Sequence, residues 1–229
     1  YGVKVTSEAE FKPTAMDGTV EVTFVFDATQ LQGKEVDVVV FEQLFVKGKE
    51  DAGDEIAVHE DIEDEGQTIG FPEIEITTDA KDSETGTEES KADEEITIID
   101  VVSYKGLVVG QMYTVKGVLM DKATGEPLLV DGQEIRAEKT FKAEQSDGTI
   151  ELEFVFNGSA LQGTTVVVFE TLYYNDKEAA THTDIEDEDQ TIYIPGIGTS
   201  ANDSETKGHA SKADEEVTII DTVTYTNLQ

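Results

Sequence analysis

The 229-residue sequence predicts an all-β protein of immunoglobulin-like β-sandwich domains in tandem. Three observations predict it. Short segments rich in β-branched and aromatic residues alternate polar with apolar. Gly- and Asn-containing turn signals separate these segments, and no long stripe of helical period runs through them. The chain also repeats itself at a spacing of about 120–130 residues, longer than a solenoid unit, so each repeat is a whole domain.

The strands follow in chain order. Residues 96–102 (ITIIDVV) and 113–120 (YTVKGVLM) are β-branched and apolar, with Gly106 marking a turn between them. Thr124-Gly125 closes the second of these. Residues 149–156 (TIELEFVF) alternate polar with apolar, the mark of a half-buried strand, between turn signals at Asp147-Gly148 and Asn157-Gly158. Residues 166–169 (VVVF) are continuously apolar, which predicts a strand buried on both faces. Roughly seven strands in about 120 residues is the size of one sandwich.

The repeats set the organisation. DGTVEVTFVF (17–26) returns as DGTIELEFVF (147–156), and LQGKEVDVVVFE (31–42) as LQGTTVVVFE (161–170). HEDIEDEGQTI (59–69) returns as HTDIEDEDQTI (182–192), and DSETGTEESKADEEITIIDVVSY (82–104) as DSETKGHASKADEEVTIIDTVTY (203–225). Residues 1–72 are then the C-terminal part of one repeat, 73–195 a complete repeat and 196–229 the N-terminal part of the next. Segment 109–130 has no counterpart in either partial copy. Gln67 and Thr77 lie ten residues apart, Gln190 and Thr199 nine, which favours domains joined end to end in a rod.

Composition excludes several functions. With 16 Lys+Arg against 51 Asp+Glu, the formal net charge is −35, which repels nucleic acid and anionic membranes. The absence of Cys excludes disulfides, thiol catalysis and thiolate metal sites. No apolar run approaches the ~18 residues of a membrane span, and no leader pattern opens the chain. Phosphate loops, GxSxG and HExxH are absent, so no hydrolase signature is present.

Some residues break the pattern. Asp100 and Asp221 close the strands EITIID and EVTIID, sharing a face with Ile96 and Ile98, or with Val217 and Ile219. Glu42 and Glu170 end VVVFE in both copies. Such acids either mark where a strand emerges into water or form a paired-carboxyl site with one acid protonated near neutrality. His59 and His182 each stand eight residues before a Gln, Gln67 or Gln190. The acidic tract 184–189, copied at 61–65, offers oxygen ligands for Ca²⁺ but lacks an EF-hand's Gly and spacing, which favours a solvated loop. No metal site and no cofactor are expected.

The segments YTVKGVLMDKATGEPL (113–128), VVVFE (166–170) and HTDIEDEDQT (182–191), in this order, resemble the VaFE-repeat or T-Q ester-bond domains of Gram-positive surface-anchored adhesins. The resemblance covers essentially the whole chain. It implies a stalk module stapled by an intramolecular ester between a Thr on the first strand and a Gln on the last, with loss of ammonia. The resemblance gives the Gln as Gln190 and the helpers as Asp100, Glu170 and His182, the His to move the Thr proton to the departing ammonia. Thr77 and Thr78 both fall where the Thr belongs. A repeat alignment that sets Thr199 opposite Thr77 and Ser200 opposite Thr78 favours Thr77; strand parity favours Thr78, which shares a face with Ile74 and Ile76. Thr77 is taken as the ester residue here. Glu42, His59 and Gln67, and Thr199 and Asp221, are the equivalent partial sites. The alternatives are a Lys–Asn isopeptide sandwich, with Lys116 as its Lys, a Ca²⁺-dependent module and a hydrolase. Expected partners are neighbouring repeats of the same stalk, an unnamed host ligand, and other copies in head-to-tail assembly. The expected place is outside the cell on the wall.

Overall fold

The computed structural model of the chain describes residues 4–28, 31, 35–51 and 54–228; residues 32–34 of the 31–42 copy fall outside them. It divides into two compact units, Tyr1–Glu73 and Ile74–Gln229. Among the described residues, no helix is long and apolar enough to cross a membrane.

Among the described residues, the first unit has two antiparallel pairs. Strand β1 (Val36–Val39) pairs with β4 (Thr68–Phe71), and β2 (Glu42–Leu44) with β3 (Ala57–His59). A single turn of 3₁₀ helix, Glu65–Gln67, is capped by Asp64, whose side chain accepts from the Gly66 N–H. Residues 17–26 are not strand here, although their copy at 147–156 is. In the complete repeat that strand leans on a neighbour that has no counterpart in residues 1–73, so Phe26 is 41% exposed where its copy Phe156 is 6% exposed.

The second unit contains the complete repeat. Its first sheet has the order β12-β6-β5: β5 (Glu75–Asp82), β6 (Ile96–Lys105) and β12 (Gly148–Phe156). The second has the order β11-β7-β13-β14: β7 (Met112–Asp121), β11 (Arg136–Lys142), β13 (Thr165–Tyr174) and β14 (Lys177–His182). Short strands complete it. β8 (Glu126–Pro127) pairs with β7 and β15 (Thr191–Tyr193) with β13, while β9 (Leu129–Val130) and β10 (Gln133–Glu134) form a hairpin. The core lies between the sheets, from Ile76, Ile96, Ile98, Val102, Leu152 and Phe154 on one side and Tyr113, Val115, Leu119, Val166, Val168 and Leu172 on the other.

The alternation in 149–156 becomes Leu152, Phe154 and Phe156 buried, with Glu151, Glu153 and Val155 outward. In β13, Val166, Val167 and Val168 are all buried, and the strand is central in its sheet, paired by β7 on one side and by β14 and β15 on the other. Phe169 is only half-buried. Gly117 of β7 permits close packing, since a Cβ there would stand 2.5 Å from Phe154 Cζ. A last hairpin, β16 (Gly196–Asp203) with β17 (Ile219–Thr226), copies β5 and β6 and is joined to the complete repeat by Asn227 Nδ2 donating to Thr165 Oγ1 at 3.1 Å.

Candidate functional site

Period-two geometry brings four polar side chains into this apolar core. In β6, Ile96, Ile98, Asp100, Val102 and Tyr104 face inward together. Asp100 is fully buried between Ala80 of β5 and Leu152 of β12. In β13, Glu170 shares the inward face with Val168 and Leu172 and is 1% exposed. In β5, Ile76, Thr78, Ala80 and Asp82 face inward, while Thr77 faces solvent. Gln190, fully buried, immediately precedes β15.

Backbone hydrogen bonds fix Gln190 between the two sheets. The Ala80 N–H donates to Asp189 O at 2.9 Å, and the Val168 N–H to Gln190 O at 3.1 Å. The β5–β6 loop holds the far side of β15, with the Ser90 N–H donating to Tyr193 O at 2.8 Å and the Tyr193 N–H to Glu88 O at 2.7 Å. The Gln190 amide therefore meets β5 and β13 together. Its Nε2 donates to Thr78 Oγ1 and, at 2.6 Å, to Glu170 Oε2. Thr78 Oγ1 donates to the same Glu170 oxygen at 3.4 Å.

The ester residue favoured by alignment is thus the one that points away, and Thr78 is the one against Gln190. The strand registers explain why. Ala80 opposes Asp100 in β5–β6, and Ala201 opposes Asp221 in β16–β17. These equivalences put Thr199 in the place of Thr78 and Gly198 in the place of Thr77. The alignment of Thr77 with Thr199 was displaced by one residue; with the shift removed, repeat and parity agree on Thr78.

Asp100 and Glu170 are coupled carboxyls. Burial raises Asp100 to about 6, and burial together with the neighbouring Asp100 charge raises Glu170 to about 10. Both Asp100 oxygens and Glu170 Oε1 are buried without a partner while the pair is bare of protons. A proton on Glu170 Oε1 supplies the missing donor to Asp100 and leaves Oε2 free to accept from Gln190 and Thr78. The remaining partnerless buried oxygens among the described residues are Gln190 Oε1 and Gln67 Oε1, the amide oxygens at equivalent places in two repeats.

His182 pairs across from Glu170, and its Nε2 bonds Asp187 Oδ2 at 2.8 Å. Sequence reasoning did not single out Asp187, yet the first unit repeats the pair as His59 with Asp64 at 2.9 Å. The common spacing of five residues in HEDIED and HTDIED was the signal available. The first unit also pairs Gln67 Nε2 with Glu42, in register with His59. Thr199 and Asp221 stand exposed on the terminal hairpin.

The other candidate chemistries find less. Lys116 Nζ is about half exposed, 5.2 Å above the Tyr173 ring and 4.0 Å from Glu138, on the outer face of its sheet. In the acidic tract, Asp184 and Asp187 accept from the Glu186 and Asp189 N–H groups, so these carboxylates cap the turn. Among the described residues no group of three or more His, Asp or Glu side chains is arranged to hold a metal ion.

The family of the T-Q ester bond containing domain matches residues 1–71, 74–194 and 195–229. No curated protein matches. Similar solved structures include a bacterial adhesin from Mobiluncus mulieris containing intramolecular disulfide, isopeptide and ester bond cross-links, at 12% identity, covering 66% of this chain and 76% of that one, with a TM-score of 0.46. They also include a putative beta-galactosidase from Bacteroides fragilis, at 13% identity, covering 49% and 17%, with a TM-score of 0.37.

Proposed function

The chain belongs to the family of the T-Q ester bond containing domain, and from that premise we propose that its complete repeat is a structural module stapled by an ester between Thr78 Oγ1 and Gln190 Cδ. The observation that carries this reading is the contact of the Gln190 amide with Thr78 and Glu170 in a buried core.

The reaction balances as follows. The Thr78 Oγ1–Cδ bond forms, the Cδ–Nε2 bond of Gln190 breaks, and the hydroxyl proton and one further proton leave on nitrogen as ammonium, or as ammonia once that further proton returns to the site. A Thr hydroxyl is a poor nucleophile and an amide a poor electrophile, so proximity supplies much of the rate, with effective molarities of ~10⁵ M or more. Glu170 Oε2 touches both the Thr78 hydroxyl and the Gln190 nitrogen, so it is placed to pass the proton from one to the other. Gln190 Oε1, where charge develops, is buried without a partner, and we assign its donor to the proton shared by Asp100 and Glu170 once it turns from Asp100. His182, oriented by Asp187, stands across the β13–β14 ladder from Glu170 and acts through the acid pair in place of direct contact with Thr78. The bond forms once per domain, so this is self-processing without turnover.

The biological role follows from the cross-link. Tandem repeats, each closed by a link from first strand to last, suit the stalk of an extracellular, wall-anchored adhesin on a Gram-positive cell. There the staple resists pulling and proteolysis, neighbouring repeats are the immediate partners, and the chain carries its charge of −35 as a solubilising surface.

The experiment is peptide mapping with alkaline hydroxylamine. A digest is expected to contain the Thr78 and Gln190 peptides joined as one species that hydroxylamine separates, since esters yield to it far more readily than amides. Two separate peptides before treatment, or a joined species that resists it, would sink the ester.

A further inference from the structure

The motif at 113–128 is part of the family resemblance yet contributes no side chain to the reacting cluster. We infer that Lys122, in its centre, is a positioning residue for the reactive Gln; this rests on the ester reading above.

The local structure aims Lys122 at the Gln190 turn. β7 ends at Asp121, whose Oδ1 accepts from the Ala123 N–H at 2.9 Å and whose carbonyl accepts from the Gly125 N–H at 2.8 Å. Gly125 sits at φ +71, a conformation that favours glycine. The Lys122 N–H donates to Thr165 O at 3.0 Å, tying this turn to β13. The side chain is thereby directed away from its own hairpin and over β15. Its Nζ lies 3.5 Å from Thr191 Oγ1 and 3.7 Å from Glu186.

Thr191 is the next residue after Gln190 and is fully buried. Its hydroxyl donates to Asp187 O at 2.6 Å, and Asp187 holds His182. Lys122 therefore touches the residue that links the Gln190 backbone to the His182–Asp187 pair. The surrounding segment, Asp184-Ile-Glu-Asp-Glu-Asp189, holds five carboxylates in six residues. Lys81 of β5 faces the same turn, near Asp189, but is bonded to Asp79 at 2.5 Å. In the ion pair with Glu186 the carboxylate is exposed, so the pair by itself is worth little. What singles out Lys122 is that its charge sits on a buried hydroxyl at the hinge of the reactive turn. It lets a strongly acidic turn close on the core with Gln190 in register against Thr78. The first unit has no counterpart of segment 109–130 and hence none of Lys122.

The test uses the full chain and mass spectrometry of freshly purified protein followed through incubation. Lys122→Met keeps the aliphatic stem, so packing is retained; its folding is checked by the melting temperature in a Thr78→Ala background, where no link can form. Lys122→Met is expected to slow ester formation by about ten- to a hundredfold, the scale of a small misplacement of reacting groups. Lys122→Arg is expected to restore the rate. About 1 M NaCl, where the Debye length is about 3 Å, is expected to recover part of the Lys122→Met rate by screening the turn. Adding Glu186→Gln to Lys122→Met is expected to do the same. A Lys122→Met chain that links as fast as wild type overturns the proposal. So does a slow rate indifferent to salt, to Arg and to Glu186→Gln, which would mean lost packing alone. A wild-type chain that never links overturns the ester reading, and this proposal with it; the wild-type mass identifies that case.

Discussion

Thr78 and Thr77 differ by one position and by one face of a strand, and the chemistry depends on that difference. Strand parity was legible in the sequence; what misled was a repeat alignment slipped by one, and a slip of one residue reverses every facing in a strand. Asp100 was legible for the same reason, as an acid on the apolar face of β6. Asp187 was missed, because a single Asp in a run of acids carries no contrast until the two copies are compared at their shared spacing from the His. The acid pair gives a prediction at this scale. Replacing Glu170 by Gln removes the group that touches both nucleophile and leaving nitrogen, so linkage should slow by ~10²-fold or more, read as the fraction of lighter chains over time. Full-speed linkage in Glu170→Gln would remove the relay role. A second prediction concerns pH. Both acids are raised in the folded state, so between the ordinary carboxylate range and about 10 the folded chain holds more protons than the unfolded one. Their contribution to stability is then fully present at low pH and is lost as pH rises through that window. In a Thr78→Ala chain, urea unfolding should show stability falling from pH 5 to pH 9, by up to about 1.4 kcal/mol per unit per excess proton. A flat or rising profile would contradict the raised values.

At the scale of elements, the sheet positions the site by closing one strand on both edges. β13 carries Glu170, and its pairing with β7, β14 and β15 gathers Gly117, His182 and Gln190 around it. The strand's burial was readable from its apolar run; its neighbours were not, because pairing order depends on contacts remote in sequence. Residues 17–26 and 147–156 make the same point: nearly one sequence, yet strand only where β6 is there to pair with it. Gly117 provides the test. It opposes Glu170 across the ladder, and an added Cβ meets Phe154 Cζ at 2.5 Å and Leu152 Cδ1 at 2.9 Å. Gly117→Ala should cost about 1–3 kcal/mol by overpacking and slow linkage as Glu170 shifts. An unchanged melting temperature would show that this approach is less tight than the geometry states.

Over the whole molecule, the absence of Cys and the charge of −35 read together with the repeats. A sandwich without Cys can still be closed from first strand to last, and the proposed ester would close this one across the 112 residues that separate Thr78 and Gln190. A cross-link of that span is worth ~4–5 kcal/mol through the unfolded state. At roughly 4 °C per kcal/mol for a domain of this size, Thr78→Ala should melt about 15–20 °C lower. The measurement that tests the account most directly is the intact mass of three chains: wild type, Thr77→Ala and Thr78→Ala. The account predicts that wild type and Thr77→Ala each fall about 17 Da below their sequence mass, one ammonia lost, while Thr78→Ala stays at its full mass. A wild-type chain at full sequence mass, or a Thr78→Ala chain that still loses ammonia, would contradict it.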